Sequence, residues 1–233
     1  MTPDTPLWRR LLRLSILLLG AVAVLLLSGL LLADHLTPGR RGEPSHALPL
    51  VADPSAADAT AIDRSLAPLL EQHPGHTGVG MLGDGLDAYA ARALITRHAG
   101  RSLDVQYYIW NDDLVGHLLA RDLHDAAERG VRVRLLLDDL STQDKDALLL
   151  ALDAHPNIEL RVYNPFRNRS GLLRLLEMVQ RAWSVNHRMH NKAWIADGRI
   201  AIVGGRNIGE EYFSARPDVN FRDLDLLLAG RSE

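Results

Sequence analysis

The fold class is set by residues 103–163, which read LDVQYYIWNDDLVGHLLARDLHDAAERGVRVRLLLDDLSTQDKDALLLALDAHPNIELRVY. Apolar and aromatic runs predict three strands, and stretches with helical periodicity separate them. The predicted elements are a strand at Leu103–Trp110, a helix over 113–129, a strand at Val131–Leu137, a helix over 142–153 and a strand at Ile158–Tyr163. Because strands that alternate with helices pair in parallel, this stretch predicts an α/β domain.

Further elements on either side make the predicted sheet a mixed one. They are helices over 85–98 and 171–183 and strands at Ala193–Ala196, Arg199–Val203 and Leu224–Ala229. The first two of these strands flank Asp197-Gly198, a residue pair that is favoured in tight hairpin turns. A hairpin beside parallel strands predicts a mixed β-sheet flanked by helices.

The composition of the 233 residues is that of a globular protein, with 47% hydrophobic and 24% charged residues. It excludes a disordered or collagen-like chain. The sequence contains no cysteine, which excludes disulfide scaffolds, thiolate metal sites and cysteine nucleophiles. The net charge of −3 gives no overall signature of nucleic-acid binding.

An uncharged apolar segment, Leu14–Ala33, precedes the α/β pattern. A helix of this length spans about 30 Å, the thickness of the hydrocarbon core of a bilayer. Arg9, Arg10 and Arg13 precede it, so the positive-inside rule predicts a cytoplasmic N-terminus. The alternatives are a cleaved signal peptide, whose apolar region is shorter and ends in a small-x-small site, and a buried helix of a soluble protein.

The predicted organisation has four parts: a cytoplasmic N-terminus (1–13), a transmembrane helix (14–33), a linker (34–60) and the α/β domain (61–233). The linker is rich in Pro, Ala and small polar residues. Asp53, Asp58 and Asp63 lack the glycine and glutamate of a calcium loop, so we interpret them as solvated linker carboxylates.

Positive charge is concentrated in residues 161–206, which carry nine Arg or Lys and two acidic residues in a chain of net charge −3. A basic stretch in an acidic domain indicates a local anionic ligand. The alternative is a set of ordinary surface arginines around Leu-rich helices.

One group of residues within this stretch has the side chains for phosphoryl chemistry. His190 and Lys192 are two positions apart on a predicted strand, so the imidazole and the ammonium are expected to point the same way. Lysine supplies a compact charge for a phosphate oxygen, and histidine attacks phosphorus or shuttles a proton. Gly204 and Gly205 permit close backbone approach to a ligand, and the Asn207 amide can donate to the same oxyanion.

With Asp197 added, the residues fit the pattern H-x-K-x4-D-x6-G-x2-N at every position. This pattern is the signature of the phospholipase D superfamily, which the chain resembles over roughly residues 61–233. The stretches LDVQYYIWNDD, VRVRLLLDD and FRDLDLLLAG resemble the first catalytic half of bacterial cardiolipin synthases. The resemblance implies a phospholipase D-like mixed β-sheet flanked by helices, preceded here by one transmembrane helix.

The resemblance also implies phosphodiester chemistry without a metal or a cofactor. In that family a motif histidine attacks phosphorus to form a phosphohistidine, and a second motif histidine protonates the leaving alcohol. Water or another alcohol then resolves the intermediate. By this resemblance His190 is the nucleophile or the acid, and Asp197 supports the motif as a catalytic residue.

The remaining roles are implied in the same way. Lys192 and Asn207 hold the phosphoryl oxygens, and Gly204 and Gly205 lie beside them. Asp223 is the candidate carboxylate that orients the histidine, with Asp225 as the second choice.

The sequence departs from the family in one respect, because no second H-x-K occurs in it. A symmetric dimer, a separate second-half chain, or a fragment that is inactive alone would each explain this. The predicted function is phosphatidyl transfer or hydrolysis on phospholipids at the periplasmic side of a bacterial inner membrane, by a single-pass protein. A dimeric nuclease and a non-catalytic half are the alternatives, and the acceptor alcohol stays open.

Overall fold

A computed structural model describes residues 6–36, 55, 57–139, 142, 145–166, 168, 171–181 and 186–230. It divides the chain into two compact units, Met1–Ser45 and His46–Glu233. The first unit contains the helix α1 (Leu7–Leu36), which includes the apolar segment predicted from sequence. Its stretch Leu7–Gly29 has a mean hydropathy of 2.5 and is long and apolar enough to cross a membrane, as an N-terminal signal sequence also can be. Most of the predicted linker, residues 37–54 and 56, lies outside the described residues.

The second unit is the α/β domain, and its elements follow in chain order. They are α2 (Ala61–Gln72), β1 (Gly78–Leu82), α3 (Gly85–His98), β2 (Ser102–Tyr107), α4 (Leu114–Glu128), β3 (Arg132–Asp138), α5 (Asp146–Asp153), β4 (Ile158–Tyr163), α6 (Gly171–Gln180), β5 (Ala193–Ala196), β6 (Ile200–Gly204), a 3-10 turn (Glu210–Tyr212) and β7 (Asp225–Ala229).

The seven strands form one sheet in the order β1-β7-β6-β5-β2-β3-β4. β2, β3 and β4 are parallel, whereas the other neighbours are antiparallel. The predicted mixed sheet flanked by helices is therefore confirmed. α2 and β1 were not predicted, although the capping residues and apolar spacing of α2 are those of a helix. β1 is only five residues long and contains two glycines.

Local chemistry explains where the main helices begin. α2 starts with a capping box, in which the Thr60 and Asp63 side chains each bind the backbone N–H of the other residue. Asp84 caps α3, and Asp113 caps α4 through the N–H of Gly116 at 2.9 Å. The interpretation of Asp63 as a solvated linker carboxylate is wrong, because its side chain is buried and paired with Arg101 and Arg199.

The core lies between the sheet and the helices α3 and α4. Alternate residues of β2, namely Leu103, Val105 and Tyr107, are buried in it. Trp194 of β5 is fully buried among them, and its indole N–H donates to the Thr96 hydroxyl at 2.9 Å. This packing fixes β2 and β5 against each other, with His190 and Lys192 at one end of β5 and Asp197 at the other.

The predicted hairpin between β5 and β6 is present. Asp197 (φ 55°) and Gly198 (φ 68°) both adopt left-handed backbone conformations, as a two-residue hairpin turn of this type requires.

Candidate active site

His190 and Lys192 lie just before β5, at the end of the sheet where β2 finishes. They were predicted to share a strand face, but β5 begins only at Ala193, so a different contact brings them together. The ring of Tyr108, the residue that follows β2, meets the exposed His190 ring edge-on with centroids 4.2 Å apart. Lys192 Nζ lies 5.5 Å from the centroid of the same Tyr108 ring and donates to the His190 carbonyl at 2.7 Å.

The electrostatic setting of Lys192 differs from that of an open surface lysine. Burial lowers the pKa of Lys192, and the nearby Asp223 carboxylate partly opposes that decrease. The ammonium thus lies near the Tyr108 ring and feels the charge of Asp223, beside an exposed imidazole. This arrangement can bind an anionic oxygen within reach of a histidine.

Gly204 and Gly205 allow the chain before β7 to pass close to the end of β6. A Cβ on Gly205 would overlap the Asp223 carboxylate, and a Cβ on Gly204 would overlap the backbone of Leu224 and Asp225. The Gly205 N–H donates to the Leu224 carbonyl at 3.2 Å, and the Gly204 N–H donates to the Lys192 carbonyl at 3.4 Å. The two glycines therefore allow the segments that carry Asp223 and Lys192 to lie next to each other.

Asp223 is half-buried, and it accepts a hydrogen bond from the N–H of Leu224 at 2.8 Å. Within the described residues, no hydrogen bond joins Asp223 to His190. The predicted orientation of His190 by Asp223 stays a prediction, supported by the shared neighbour Lys192. Asp225 was the second candidate for the carboxylate that orients His190. It is fully buried and pairs with Arg92 at 2.8 Å, so its carboxylate is already engaged elsewhere.

Asp197 lies at the opposite end of β5 from His190. Its carboxylate accepts hydrogen bonds from the backbone N–H groups of Gly100, Arg101 (2.8 Å) and Ser102 (3.0 Å). β5 separates it from the histidine by four strand residues, which span about 13 Å. The position fits the supporting role that the resemblance implied, and it places the carboxylate outside direct reach of a substrate bound at His190.

Asn207 is buried, and both ends of its side-chain amide have partners. Oδ1 accepts from the Ile109 N–H at 3.1 Å, and Nδ2 donates to the Tyr212 hydroxyl at 3.0 Å. The amide therefore holds the end of β2 against the segment after β6. Because an amide nitrogen carries two hydrogens, one N–H is left for the predicted contact with a phosphoryl oxygen.

The basic stretch is used mostly inside the fold. Six of its arginines contact an acid or a ring: Arg161 with Glu159, Arg174 with Phe166, Arg181 with Glu177, Arg188 with Asp138, Arg199 with Asp63, and Arg206 with Asp225. Arg167 and Arg169 lie outside the described residues. These six arginines therefore do not indicate a binding site for an anion. The prediction of an anionic ligand rests on Lys192.

Two participants were missed by the sequence reasoning. Tyr108 is the ring against which His190 and Lys192 pack, and Asp138 binds the segment immediately before His190. The strand pattern of residues 103–110 did indicate Tyr108. Successive residues of a strand face opposite sides of the sheet, so Tyr107 and Tyr108 are expected on opposite faces. No local signal indicated Asp138, because its partners lie fifty positions away in the chain.

A family model matches this α/β domain, including the segment with the histidine–lysine pair at the strand ends. The model described as "Cardiolipin synthase, PLD-like domain" covers residues 94–227, more than half of the chain. The chain belongs to this branch of the phospholipase D superfamily.

Two relatives show the similarity in sequence. Cardiolipin synthase C of Escherichia coli (strain K12) is 50% identical over 166 residues, which are 71% of this chain and 35% of the relative. Cardiolipin synthase of Halalkalibacterium halodurans is 27% identical over 157 residues, which are 67% of this chain and 29% of the relative. The chain thus spans about a third of the length of these curated relatives.

Two solved structures share the fold. NucT from Helicobacter pylori matches with a TM-score of 0.50 at 19% identity, over 66% of this chain and 86% of NucT. Phosphatidylserine synthase of Haemophilus influenzae Rd KW20 matches with a TM-score of 0.50 at 14% identity, over 65% of this chain and 33% of that protein.

Proposed function

We propose that the site performs phosphatidyl transfer on membrane phospholipids, with His190 as the nucleophile. The observation that carries the proposal is the exposed His190 ring packed beside Lys192 on Tyr108. A ring nitrogen of His190 forms a bond to phosphorus while the bond from phosphorus to the leaving alcohol oxygen breaks. A second histidine gives the departing oxygen its proton.

In the second half of the reaction, water or an alcohol attacks phosphorus and the phosphorus–nitrogen bond breaks. The second histidine takes the proton of the attacking hydroxyl. Lys192 and the remaining Asn207 N–H stabilise the charge on the phosphoryl oxygens, and Asp223 orients His190. Asp197 acts indirectly, because it holds the β5–β6 hairpin through backbone amides.

The second histidine is the partner that the proposal requires. We propose that it comes from the same motif in a second copy of this chain, or from a segment that corresponds to the rest of the longer relatives. The relatives that are cardiolipin synthases contain about two thirds of their length outside the match.

We further propose that residues 14–33 of α1 anchor the protein as one transmembrane span. Residues 1–13 would then be cytoplasmic, 34–60 a linker, and 61–233 a catalytic domain on the periplasmic side of a bacterial inner membrane. The hydropathy of Leu7–Gly29 and the arginines before Leu14 support this topology. Labelling of single cysteines introduced at residues 5 and 50 with a membrane-impermeant reagent tests it, because the chain has no cysteine of its own. Labelling of residue 5 in intact spheroplasts would overturn the topology.

The experiment for the activity is phosphatidylglycerol turnover by the full chain in mixed micelles, with mass-spectrometric detection of cardiolipin and phosphatidic acid. The matched pair of variants is His190→Ala and His187→Ala, because His187 is also exposed and only three positions away. We expect turnover that His187→Ala retains and His190→Ala abolishes.

Each other outcome has a definite meaning. Turnover that survives His190→Ala would overturn the proposed nucleophile, and cleavage of single-stranded DNA without lipid turnover would favour the nuclease. If the full chain alone shows no turnover, addition of the part of the Escherichia coli relative that lies outside the match should produce it. Failure of that addition would favour the non-catalytic half.

A further inference from the structure

We propose that Asp138 is a positioning residue that sets the direction of the His190 side chain from the end of β3. The inference rests on the proposed function, since it gives His190 its catalytic role. Within the part of the chain that the structure describes, no hydrogen bond or ion pair joins Asp138 to the imidazole or to Lys192, so its effect is exerted through the backbone before His190.

The geometry links Asp138 to the two residues that immediately precede His190. Its carboxylate is fully buried, and one oxygen accepts from Arg188 Nη1 at 3.1 Å. The other oxygen accepts from the backbone N–H of Met189 at 2.9 Å. Because Met189 is also buried, the backbone immediately before His190 has a fixed position.

Arg188 makes this link specific to a carboxylate. Its side chain is 8% exposed, and its guanidinium lies 5.4 Å from the centroid of the Phe166 ring. Arg188 Nη2 is buried and has no acceptor among the described residues, so Asp138 carries the pairing of this cation. Removal of the Asp138 charge would leave the buried Arg188 guanidinium without a negative partner. This favours displacement of the segment that contains Arg188 and His190.

Residues 186–192, which bear His190, form neither helix nor strand. The other described hydrogen bonds on this segment are from Asn164 Nδ2 to the His187 carbonyl at 3.1 Å, from Lys192 Nζ to the His190 carbonyl at 2.7 Å and from the Gly204 N–H to the Lys192 carbonyl at 3.4 Å. The contacts of Asp138 are the ones that fix the backbone immediately before His190. Small displacements of a catalytic group have large kinetic effects, of about 100-fold for a shift of about 1 Å. The Asp138 contacts therefore control whether the imidazole meets phosphorus in a productive direction.

The test compares Asp138→Asn with Asp63→Asn in the full chain. Asp63 is a matched control, because it is also buried and also binds arginine and a backbone N–H. Its arginine partners are Arg101 and Arg199, and it lies near the opposite end of β5. The first measurement is the NMR shift of the His190 ring protons, which sense the ring current of Tyr108. Tyr108→Leu identifies that contribution, and His190→Ala assigns the signal.

We expect Asp138→Asn to remove most of the Tyr108 contribution to the His190 shift and Asp63→Asn to keep it, even where both variants lose stability. If the wild-type protein turns over phosphatidylglycerol, Asp138→Asn should lower kcat by about 10- to 100-fold while KM changes by less than about 3-fold. A wild-type His190 shift in Asp138→Asn would overturn the proposal.

The readouts separate failure of this inference from failure of the proposed function. The NMR measurement needs no turnover, so a chain without activity still tests the positioning role of Asp138. If Asp138→Asn does not fold, Arg188→Lys is the second variant, because it keeps the charge and removes the planar fork. An unchanged His190 shift in a folded Arg188→Lys would likewise contradict the proposal.

Discussion

The Cα atom of Gly205 lies so close to the carboxylate of Asp223 that a Cβ on residue 205 would overlap it. The atoms in the way belong to a short side chain at a half-buried position, so they can rotate aside. We expect Gly205→Ala to displace the Asp223 carboxylate and to reduce phosphatidylglycerol turnover by at least about 10-fold at little cost in stability. Steady-state kinetics and urea unfolding of the same sample measure both effects.

Gly204→Ala is the control for that prediction. Its new Cβ would meet the fully buried Asp225 carboxylate, and also the Leu224 carbonyl and the Asp225 Cα, which are backbone atoms at the start of β7. Relief requires a shift of β7, and overpacking of this kind costs about 1–3 kcal/mol. If Gly205→Ala lost as much stability as Gly204→Ala, the assignment of its effect to Asp223 would be wrong.

Asp197→Asn tests the carboxylate that holds the β5–β6 hairpin. Asparagine tolerates the left-handed conformation at φ 55°, so the substitution removes the charge and leaves the turn geometry possible. The backbone N–H groups of Arg101 and Ser102 lose an anionic acceptor. We expect a loss of about 2 kcal/mol in the free energy of unfolding, measured by tryptophan fluorescence in urea. Wild-type stability would show that the carboxylate charge is not needed there.

The ion pairs of Asp63 predict how stability depends on pH. Burial alone raises the pKa of Asp63, but hydrogen bonds from the Thr60 N–H, Arg101 and Arg199 outweigh it and lower the pKa from 3.8 to about 2. A carboxyl group with a lowered pKa stabilises the fold above its unfolded pKa, and this contribution is lost as the pH falls from about 4 to about 2. Asp63→Asn should therefore lose about 2 kcal/mol at pH 7.

The measurement is urea unfolding of wild type and Asp63→Asn at several pH values from 7 to 2. The difference in unfolding free energy between them should be constant above about pH 5 and should shrink below pH 4. A difference that stays constant down to pH 2 would contradict the lowered pKa.

Asp225 sits in a buried network with Arg92, Tyr107 and Arg206. Arg92 donates to the Tyr107 hydroxyl at 2.9 Å and to Asp225 at 2.8 Å, and burial raises the pKa of the Tyr107 hydroxyl. Arg92→Met removes one cation from beside a fully buried carboxylate, so we expect a loss of about 3–5 kcal/mol in unfolding free energy. Thermal unfolding measures it, and Arg121→Met, at the exposed pair with Asp125, should change little.

The sequence predicts the fold well where each element has its own periodicity. Predicted and observed bounds coincide for β4 and β5, and the Asp197-Gly198 turn forms as the residue pair indicates. β1 was missed because GVGML is short and contains two glycines, and its pairing with β7 is decided by a partner at the far end of the domain.

The site was predictable in composition and only partly in geometry. The motif names His190, Lys192 and Asp197 together, yet Asp197 lies at the other end of β5. Spacing along a chain does not say which residues converge, because a strand carries them apart. The contacts of Tyr108 and Asp138 depend on strand pairing, which no local pattern contains.

The position of β7 between β1 and β6 has a consequence for how the domain is made. β1 leaves the ribosome early, but its pairing partners run from Asp225 to Ala229, so β1 stays unpaired until those residues have been synthesised. Contacts between such distant segments form slowly, and an open strand edge invites association with other chains. We expect nascent chains stalled before residue 225 to depend on chaperones, and β7 to close the sheet as the last step of folding.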